Sequence, residues 1–275
     1  FQVDFNKKVL KSEVSKRVIG ELKSTIFFLN RITPYVNSPT LTTFGDILYN
    51  QYGNMEVPLL ALLDPESGIG YPVTDDFSSS SLLLKDFYLP HENEVVNLKL
   101  SRNQLTLLEK IVDAIKHGQK ELILRDSDFD DLYNNNRYLP STLCTVFELL
   151  CDTHDNVLLK LNGVGGSAAN LISRFSHIEP QIEELVKDIT SFEQSYEDDV
   201  IFVELVHQPD DRVGNILFRP HLRDYELVYL ANSDLSADHI IYASDIMISI
   251  QDSKIVLRSK SLNKIIVPRI TNAHN

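Results

Sequence analysis

The spacing of hydrophobic residues predicts helices in the first half of the chain and again after its middle. Between residues 13 and 33, apolar side chains recur every three or four positions, which is typical of an amphipathic helix, and Pro34 would end it. Ser38 and Pro39 open a second helix as N-cap and first helical residue, and Gly53 closes it. The predicted helices cover 13–33, 38–53, 103–117, 166–174 and 180–196.

Short apolar runs with a period of two predict strands, most of them after residue 200. Two such runs, 141–150 and 156–161, flank a polar turn and predict a hairpin. The other predicted strands cover 1–5, 95–100, 122–124, 200–207, 213–218, 225–230, 246–251, 254–258 and 264–268. A mixed front half followed by a strand-rich end favours an α+β fold with mixed or antiparallel sheets and packed helices. Two possible sub-lobes follow, a mainly helical 1–140 and a strand-rich 141–275.

The chain is acidic, with 39 Asp and Glu against 26 Lys and Arg, for a net charge of -13. This balance argues against indiscriminate nucleic-acid binding, which depends on neutralising phosphates, but it allows one local basic face. Residues 258–269 form such a face, with Arg258, Lys260, Lys264 and Arg269 and no acid. The alternative is a lysine-protected sheet edge. No apolar run is long enough to predict a membrane span, and both ends of the sequence look like boundaries within a longer protein.

A glycine-rich stretch is the first candidate for a binding site. A predicted strand leads into Gly165, Gly166 and Ser167, where a predicted helix begins. Free backbone N–H groups and the helix dipole would together favour an anion there, although a plain strand-to-helix turn is the alternative. Arg174 would lie two turns along that helix, where its burial requires a carboxylate or phosphate partner. A surface helix cap is the simpler explanation for Arg174.

Two other groups of residues suggest chemistry but do not form a site. The acidic run 126–131 resembles a metal loop, yet it lacks the central glycine and distal glutamate that calcium loops need. A helix N-terminus rich in acids is the better explanation. His207 and His221 lie near predicted strand ends without the spacing of a zinc site. We therefore predict no metal site.

Several motifs resemble those of one family. Residues 258–262 followed by 268–275 resemble the "LRS-K-LG…PRLTNAHN" signature of the class I lantibiotic dehydratases. The segments 56–64 and 68–70 resemble the family's "EVPLLELLDPE.GLG". Three further matches follow in the family's order. They are 167–175 ("SGANLLGRF"), 213–217 ("GNIL") and 219–226 ("RP.LRDYE").

The resemblance implies that residues 1–275 are a fragment of the later part of the N-terminal glutamylation domain. That domain transfers glutamate from glutamyl-tRNA to Ser or Thr of a ribosomal precursor peptide, and a separate domain then eliminates it. By motif position the catalytic residues would be Asp4 and Arg174, although Ser173 replaces the family's usual glycine. The residues expected to bind substrate or tRNA are Gly165, Gly166, Ser167, Arg219, Arg223, Arg258, Lys260, Arg269, Asn272 and His274.

The same resemblance implies the partners. No cofactor is expected, since glutamyl-tRNA is a co-substrate. The expected partners are the precursor peptide, glutamyl-tRNA and the remaining domains of the enzyme, with a cyclase, a transporter and a homodimer of the full-length protein as further options. The expected location is the cytoplasm, with membrane association through partner proteins left open. Two alternatives remain at this point: a relative that attaches an amino acid from tRNA without elimination, and a non-catalytic scaffold that binds the peptide.

Overall fold

Helices predominate in the described chain before residue 117, and strands predominate after residue 200. The computed structural model describes residues 11–33, 38–72, 100–129, 139–151, 157–208 and 220–272. The helices in these ranges are α1 (Lys16–Ile32), α2 (Pro39–Tyr52), α3 (Leu59–Leu63), α4 (Arg102–Lys116) and α5 (Pro180–Ser195). The strands are β1 (Val57–Pro58), β2 (Leu143–Cys151), β3 (Val157–Gly166), β4 (Val200–His207), β5 (Glu226–Tyr229), β6 (Ile240–Tyr242), β7 (Ile246–Gln251), β8 (Lys254–Ser259) and β9 (Lys264–Arg269). The predicted α+β class is confirmed.

Local capping explains where the predicted helices begin. The hydroxyl of Ser15 accepts the N–H of Val18 at the start of α1, at 3.3 Å. Ser38 caps α2 in the same way, and Ser101 forms a capping box with Gln104 at α4. These contacts satisfy N–H groups that a helix leaves unpaired at its first turn. None of the described helices combines the length and hydrophobicity needed to cross a membrane.

Seven strands form one mixed sheet in the order β1-β7-β8-β9-β4-β5-β6. The pairs from β1 to β9 are antiparallel, and those from β9 to β6 are parallel. The first half of the sequence contributes the edge strand β1, so both predicted sub-lobes share this sheet. β5 pairs only with residues 204–207 of β4. At the start of β4, the side-chain amide of Gln194 in α5 instead donates to the Val200 carbonyl and accepts the Phe202 N–H.

The two faces of the parallel half of the sheet differ in character. One face contributes Val203, Leu227 and Ile266 to an apolar core. Residues of β4 alternate between the faces, so Phe202 and Glu204 project from the other one. In register with Glu204 lie Arg269 of β9 and Glu226 of β5, which places these charged residues on the same face. A second apolar core, built from Phe44, Leu48, Leu62, Ile248 and Ile250, packs α2 and α3 against β7.

The predicted hairpin is confirmed as an antiparallel pair, β2 and β3, with a bulge between Val146 and Phe147. The glycines at its end belong to the strand itself. Cys144 lies opposite Gly165, and a Cβ added at Gly165 would lie 2.8 Å from the Cys144 Sγ atom. The glycine there is thus explained by close packing across the hairpin.

Other predictions were wrong. Residues 166–174 do not form a helix: Ser167 adopts a left-handed φ of 59°, and turns lead into a 3₁₀ helix at Ser173–Phe175. Residues 122–124 are not a strand. The short strands β1 and β6 were not predicted. The predicted strands 1–5 and 213–218, and most of 95–100, lie outside the described residues.

Candidate functional site

A group of charged residues, three of them buried and one half-buried, lies on the polar face of the parallel sheet, under α5. We refer to Glu193, Glu204, Arg223 and Arg269 as the ion cluster. Glu193 and Glu204 are 4% and 2% exposed, and Arg223 is 9% exposed. Charges at this depth are stable only when they are paired and hydrogen-bonded, so the contacts of each residue determine what the cluster can do.

Glu193 reaches the cluster from the buried side of α5, one turn after the buried Thr190. Its Oε1 accepts hydrogen bonds from the Thr142 hydroxyl at 2.5 Å and the Ser167 hydroxyl at 2.7 Å. Its Oε2 accepts one from Arg223 Nη2 at 2.6 Å. Burial alone would raise the pKa of this carboxyl, but these three hydrogen bonds outweigh burial and lower the pKa below its ordinary value. Glu193 is therefore a structural anion at neutral pH.

Glu204 connects the sheet to the segment that follows β9. Its Oε1 accepts the backbone N–H of Thr271 at 2.8 Å, and its Oε2 accepts the Thr271 hydroxyl at 2.5 Å. The Nε atom of Arg223 lies 3.4 Å from Oε2, close enough for an ion pair, although Nε lacks hydrogen-bond geometry there. Ser173 donates its hydroxyl to the Thr271 carbonyl at 2.7 Å. Thr271 is thus held from both sides.

The guanidinium groups of Arg223 and Arg269 both lie near the Phe202 ring, but among the described residues only that of Arg223 forms an ion pair. The Cζ of Arg269 lies 4.4 Å from the centroid of Phe202, and that of Arg223 lies 5.9 Å from it. Arg223 is paired with Glu193. Burial and the nearby charge of Arg223 lower the pKa of the Arg269 guanidinium, while Glu193 and Glu197 oppose that shift. An arginine stays protonated even so, and Arg269 remains a half-buried cation.

The structure does not support the anion site that the glycine-rich stretch predicted. No helix begins at Ser167, so no helix dipole points there. The N–H groups of Ser167 and Ala168 bond to the carbonyl and hydroxyl oxygens of Thr142, at 3.1 and 2.8 Å. The anion next to the Ser167 hydroxyl is the carboxylate of Glu193. The stretch is therefore one wall of the ion cluster.

Arg174 lies next to this wall. It belongs to the 3₁₀ helix Ser173–Phe175, and its Cζ lies 4.9 Å from the ring centroid of Phe175. Its neighbour Ser173 is fully buried and bonds to Thr271. Arg174 therefore sits one residue from a direct contact with the segment that carries Arg269. The predicted residues Asp4, Arg219 and His274 lie outside the described residues, so the predicted proximity of Asp4 and Arg174 stays a prediction.

Arg258 and Lys260 lie elsewhere, at the β8–β9 turn. Lys264 begins β9 and Arg269 ends it, and five residue steps along the strand separate the two by about 17 Å. Arg258 forms a bidentate pair with Glu56, and its Nη1 donates to Asn263 at 3.0 Å. Lys260 and Lys264 are exposed.

Asp245 organises that turn. It accepts hydrogen bonds from the hydroxyls of Ser259 and Ser261 and from the backbone N–H of Ser261. The backbone carbonyl of Asp245 also accepts the N–H of Lys260 at 3.0 Å. The arginine and serines of the motif therefore have structural contacts that fix the shape of the turn.

The sequence pointed to three segments that meet at the cluster: those of Ser167, of Arg223, and of Arg269 with Asn272, which is 1% exposed. Sequence reasoning missed Glu193, Glu204 and Phe202. A signal for the two acids did exist. Glu193 continues the stripe of Val186 and Thr190 on the buried face of α5, and Glu204 interrupts an otherwise apolar strand. A carboxylate in either position implies a buried cationic partner.

The cluster has properties that suit binding and do not suit metal chemistry. Among the described residues, no group of three His, Cys, Asp or Glu side chains could hold a metal ion. The carboxylates of Glu193 and Glu204 are already occupied by donors from the protein itself. What the cluster can offer to a ligand is positive charge and N–H donors, which suit a carboxylate or a phosphate.

Comparison with known proteins gives two kinds of similarity. The family model described as "Lantibiotic dehydratase, N terminus" matches residues 1–275. Among solved structures, the tRNA dependent lantibiotic dehydratase MibB from Microbispora sp. 107891 is similar, with 16% identity and a TM-score of 0.72. That match covers 94% of this chain and 25% of the MibB chain, so this chain spans a quarter of its length.

A second solved structure, the glutamylation domain of TbtB from thiomuracin biosynthesis, matches with 16% identity and a TM-score of 0.49, over 94% of this chain and 32% of that chain. No curated protein sequence matches this chain. At 16% identity, the similarity to MibB shows that the two proteins share a fold and shows nothing further.

Proposed function

From the premise that this chain belongs to the lantibiotic dehydratase family and corresponds to its N-terminal region, we propose that it forms part of a tRNA-dependent glutamylation machinery. The substrate is a Ser or Thr hydroxyl of a ribosomally made precursor peptide, and the donor is glutamyl-tRNA. The chain carries one portion of the glutamylation site. The other portions, and the domain that eliminates glutamate to leave a dehydroamino acid, belong to the rest of the full-length enzyme.

The chemistry of the transfer is an exchange of esters. The peptide hydroxyl oxygen attacks the ester carbonyl carbon of glutamyl-tRNA, and the bond from that carbon to the ribose oxygen breaks. The hydroxyl proton ends on the ribose oxygen. No cofactor is needed in this proposal, because the energy of the aminoacyl ester drives the step. The protein has to orient the two substrates, bind their negative charges and move one proton.

The observation that carries the proposal is the convergence of family motifs on the ion cluster. Ser167, Arg223 and the pair Arg269 and Thr271 come from three separate segments of the chain, each of which resembles a family motif. All four contact Glu193, Glu204 or the Phe202 ring. A buried network that joins distant motifs in this way supports a shared role of those motifs in one site.

Within this proposal Arg174 and Asp4 keep the catalytic roles that the motif positions imply. Arg174 would bind a negative charge of the glutamyl group or of the tRNA, since its planar head suits bidentate contacts. Asp4 would orient the amine of the glutamyl group or accept a proton. The exposed lysines of the β8–β9 turn would contact tRNA or another part of the enzyme. Binding partners would otherwise be the precursor peptide, a second full-length copy, and cyclase or transporter proteins, in the cytoplasm where charged tRNA is made.

Replacing Arg174 by lysine in the full-length enzyme tests the proposal. Lysine keeps the charge but loses the bidentate geometry, so we expect glutamylation of the precursor peptide to fall on the order of a hundredfold. Glutamylated peptide is measured by mass spectrometry with purified glutamyl-tRNA. The midpoint of thermal unfolding should stay within a few degrees of wild type.

The matched control is Arg17→Lys, at an exposed position of α1 where the ion pair with Glu21 lies on the surface. This variant should glutamylate like the wild type. Normal glutamylation by Arg174→Lys would assign Arg174 a structural role. Absence of glutamylation by the wild-type enzyme with glutamyl-tRNA and its peptide would reject the proposed function as a whole.

A further inference from the structure

Arg269 differs from other arginines of the chain in the contacts of its guanidinium group. Four arginines each form an ion pair with a carboxylate: Arg17, Arg31, Arg223 and Arg258. Within the described ranges, Arg269 has no carboxylate oxygen at ion-pair distance, and its Nε atom is buried without a hydrogen-bond acceptor. A cation in this position costs free energy that the protein itself does not recover through an ion pair.

The surroundings hold Arg269 in place without neutralising it. Its backbone is fixed in β9 beside Glu204 of β4, and the Phe202 ring supports its guanidinium group at 4.4 Å. Two residues later, Thr271 is clamped by the Glu204 carboxylate. The two buried carboxylates near Arg269, those of Glu193 and Glu204, already accept hydrogen bonds from Arg223, Ser167, Thr142 and Thr271. The charge of the exposed Glu197 also acts on Arg269, but the two side chains are not at ion-pair distance in the described structure.

The positive charge is also reachable. Arg269 is only partly buried, whereas Arg223 beside it has a side chain that is 3% exposed. Of these two neighbouring arginines, Arg223 is therefore the internal partner of the glutamates, and Arg269 is the one whose N–H donors remain for a ligand. A guanidinium group presents its donors as a planar fork that matches the two oxygens of a carboxylate or a phosphate.

We propose that Arg269 is a substrate-binding residue that receives an oxyanion of glutamyl-tRNA, with Phe202 as its supporting platform. The proposal rests on the proposed function and names what part of the substrate this site takes. Two sources share the chemistry. The α-carboxyl of the glutamyl group is esterified to the tRNA, so the free carboxylate is that of the glutamyl side chain. The other source is a phosphate of the tRNA acceptor end.

Arg269→Gln in the full-length enzyme tests the proposal, because glutamine removes the charge and the fork. We expect kcat/KM for glutamylation to fall on the order of ten- to a hundredfold, as for the loss of hydrogen bonds to a charged group. Two measurements identify the source. If the side-chain carboxylate is bound, the variant loses the preference for glutamyl-tRNA over the same tRNA carrying glutamine. If a phosphate is bound, the variant binds deacylated tRNA more weakly than the wild type does. Either result supports the proposal.

Two further variants separate binding from folding. Arg269→Lys keeps the charge and should retain part of the lost activity, and Phe202→Leu keeps the arginine but removes its platform and should weaken the same measurement. Arg17→Gln, which removes an exposed arginine of α1, is the matched control and should behave like the wild type. If Arg269→Gln is too unstable to assay, wild-type kinetics and binding in both Arg269→Lys and Phe202→Leu would overturn the proposal.

A direct binding measurement keeps this inference separate from the proposed function. Calorimetric titration of the full-length protein with inorganic phosphate and with glutarate, a dicarboxylate, requires no catalysis. Weaker binding of either anion by Arg269→Gln than by Arg17→Gln would support an oxyanion receptor even if no glutamylation were observed. Equal binding of both anions, together with unchanged discrimination and tRNA affinity, would overturn it.

Discussion

Arg258 and Glu56, which are 202 positions apart in the sequence, form a bidentate ion pair that ties the start of β1 to β8. Arg258 Nε donates to Glu56 Oε1 at 2.7 Å, and Nη2 donates to Oε2 at 2.5 Å. The hydrogen bond from Arg258 is the main cause of a lowered pKa for Glu56, which burial opposes. The pair joins two motifs of the family. The sequence predicted that Arg258 binds substrate or tRNA, but in the structure its guanidinium group is paired with Glu56.

We therefore predict that Arg258→Lys affects stability more than activity. Lysine cannot reproduce both hydrogen bonds, and a partly exposed pair of this kind contributes about 1 kcal/mol or less. The thermal midpoint should fall by a few degrees, while the salt dependence of glutamylation by the full-length enzyme should match that of the wild type. Glu56→Gln should lower the midpoint by a similar amount. A changed salt dependence in Arg258→Lys alone would instead assign this residue to tRNA binding.

Gly68 gives a prediction about the motif that follows β1. An added Cβ at Gly68 would overlap the backbone carbonyl oxygens of Ala61 and Leu62, which cannot move without unwinding α3. We expect Gly68→Ala to destabilise the protein by about 1–3 kcal/mol. Gly20→Ala is the control, since nothing lies within 4 Å of a Cβ added there in α1. Alanine should stabilise that helix by about 0.5–1 kcal/mol. Thermal unfolding of both variants checks the opposite signs.

The amphipathic helices α1, α2, α4 and α5 could be predicted because each one buries a single stripe and carries its own cap or stop signal. The segment 166–174 could not. Its composition suits a helix, but the hydroxyl of Thr142 takes the Ala168 N–H and Ser167 turns into the left-handed region. Those contacts come from a residue 26 positions away, and local propensity does not contain them.

The ion cluster could be predicted only in part for a similar reason. Arg223 and Arg269 were conspicuous because they lie in motifs, whereas Glu193 resembles any solvent-facing acid of a helix until its burial is known. Burial of Glu193 depends on how α5 packs on the sheet, and its donors come from segments 26 to 51 residues away. Pairing across such distances follows from the tertiary fold, which the spacing of residues within α5 does not encode.

The buried pair of Glu193 and Arg223 should be expensive to break. Glu193→Gln removes the carboxylate to which Arg223 hydrogen-bonds and leaves the buried guanidinium group only the Glu204 oxygen at 3.4 Å. Removing one partner of a buried pair costs about 3–5 kcal/mol. For a unit of this size that lowers the thermal midpoint by roughly 10 °C. Arg17→Gln removes an exposed pair in α1 instead and should cost about 0.3–0.5 kcal/mol. Similar midpoints for the two variants would show that the cluster is hydrated and contributes little.

His221 is expected to make stability depend on pH. Its Nδ1 lies 2.6 Å from a carboxylate oxygen of the buried Glu226, and its Nε2 lies 2.6 Å from one of Asp234. Burial lowers the pKa of His221, but the two carboxylates outweigh burial and raise it above the ordinary value. The stabilisation is then complete below the unfolded pKa of about 6.5 and is lost as pH rises through the raised folded value. His221 also lowers the pKa of Asp234, so the attraction between the two is lost on the acid side as well, when pH falls through the lowered pKa of Asp234.

His221→Asn provides the comparison for this dependence. The difference in thermal midpoint between wild type and His221→Asn should be larger at about pH 5.5 than at about pH 9, because only protonated His221 attracts both carboxylates. His117→Asn, at an exposed position after α4, serves as the control for general effects of pH on the fold. A difference that is constant between the two pH values would mean that His221 acts as a neutral hydrogen-bonding group.

The last prediction concerns Lys260 and Lys264 of the basic motif and whether they contact tRNA. Both are exposed near the β8–β9 turn, and Arg258 beside them is already paired with Glu56. If these lysines contact tRNA phosphates, replacing both with glutamine should weaken glutamyl-tRNA binding by the full-length enzyme. It should also make the slope of log affinity against log salt shallower by roughly 1.4–1.8. The reason is that each phosphate that is no longer neutralised keeps its counterions when the tRNA binds.

The control for this pair is Lys23→Gln with Lys254→Gln, which removes the same charge from exposed positions of α1 and the far end of β8. The salt slope separates a contact from a change in net charge, because both double variants shift the net charge equally. An unchanged slope in both would mean that Lys260 and Lys264 are solvated surface charges. They do not protect a sheet edge, as the sequence alternative had it, because β8 and β9 are interior strands of the sheet. In that case Arg269, about 17 Å away at the other end of β9, would remain the basic residue of this motif that is placed to meet the substrate.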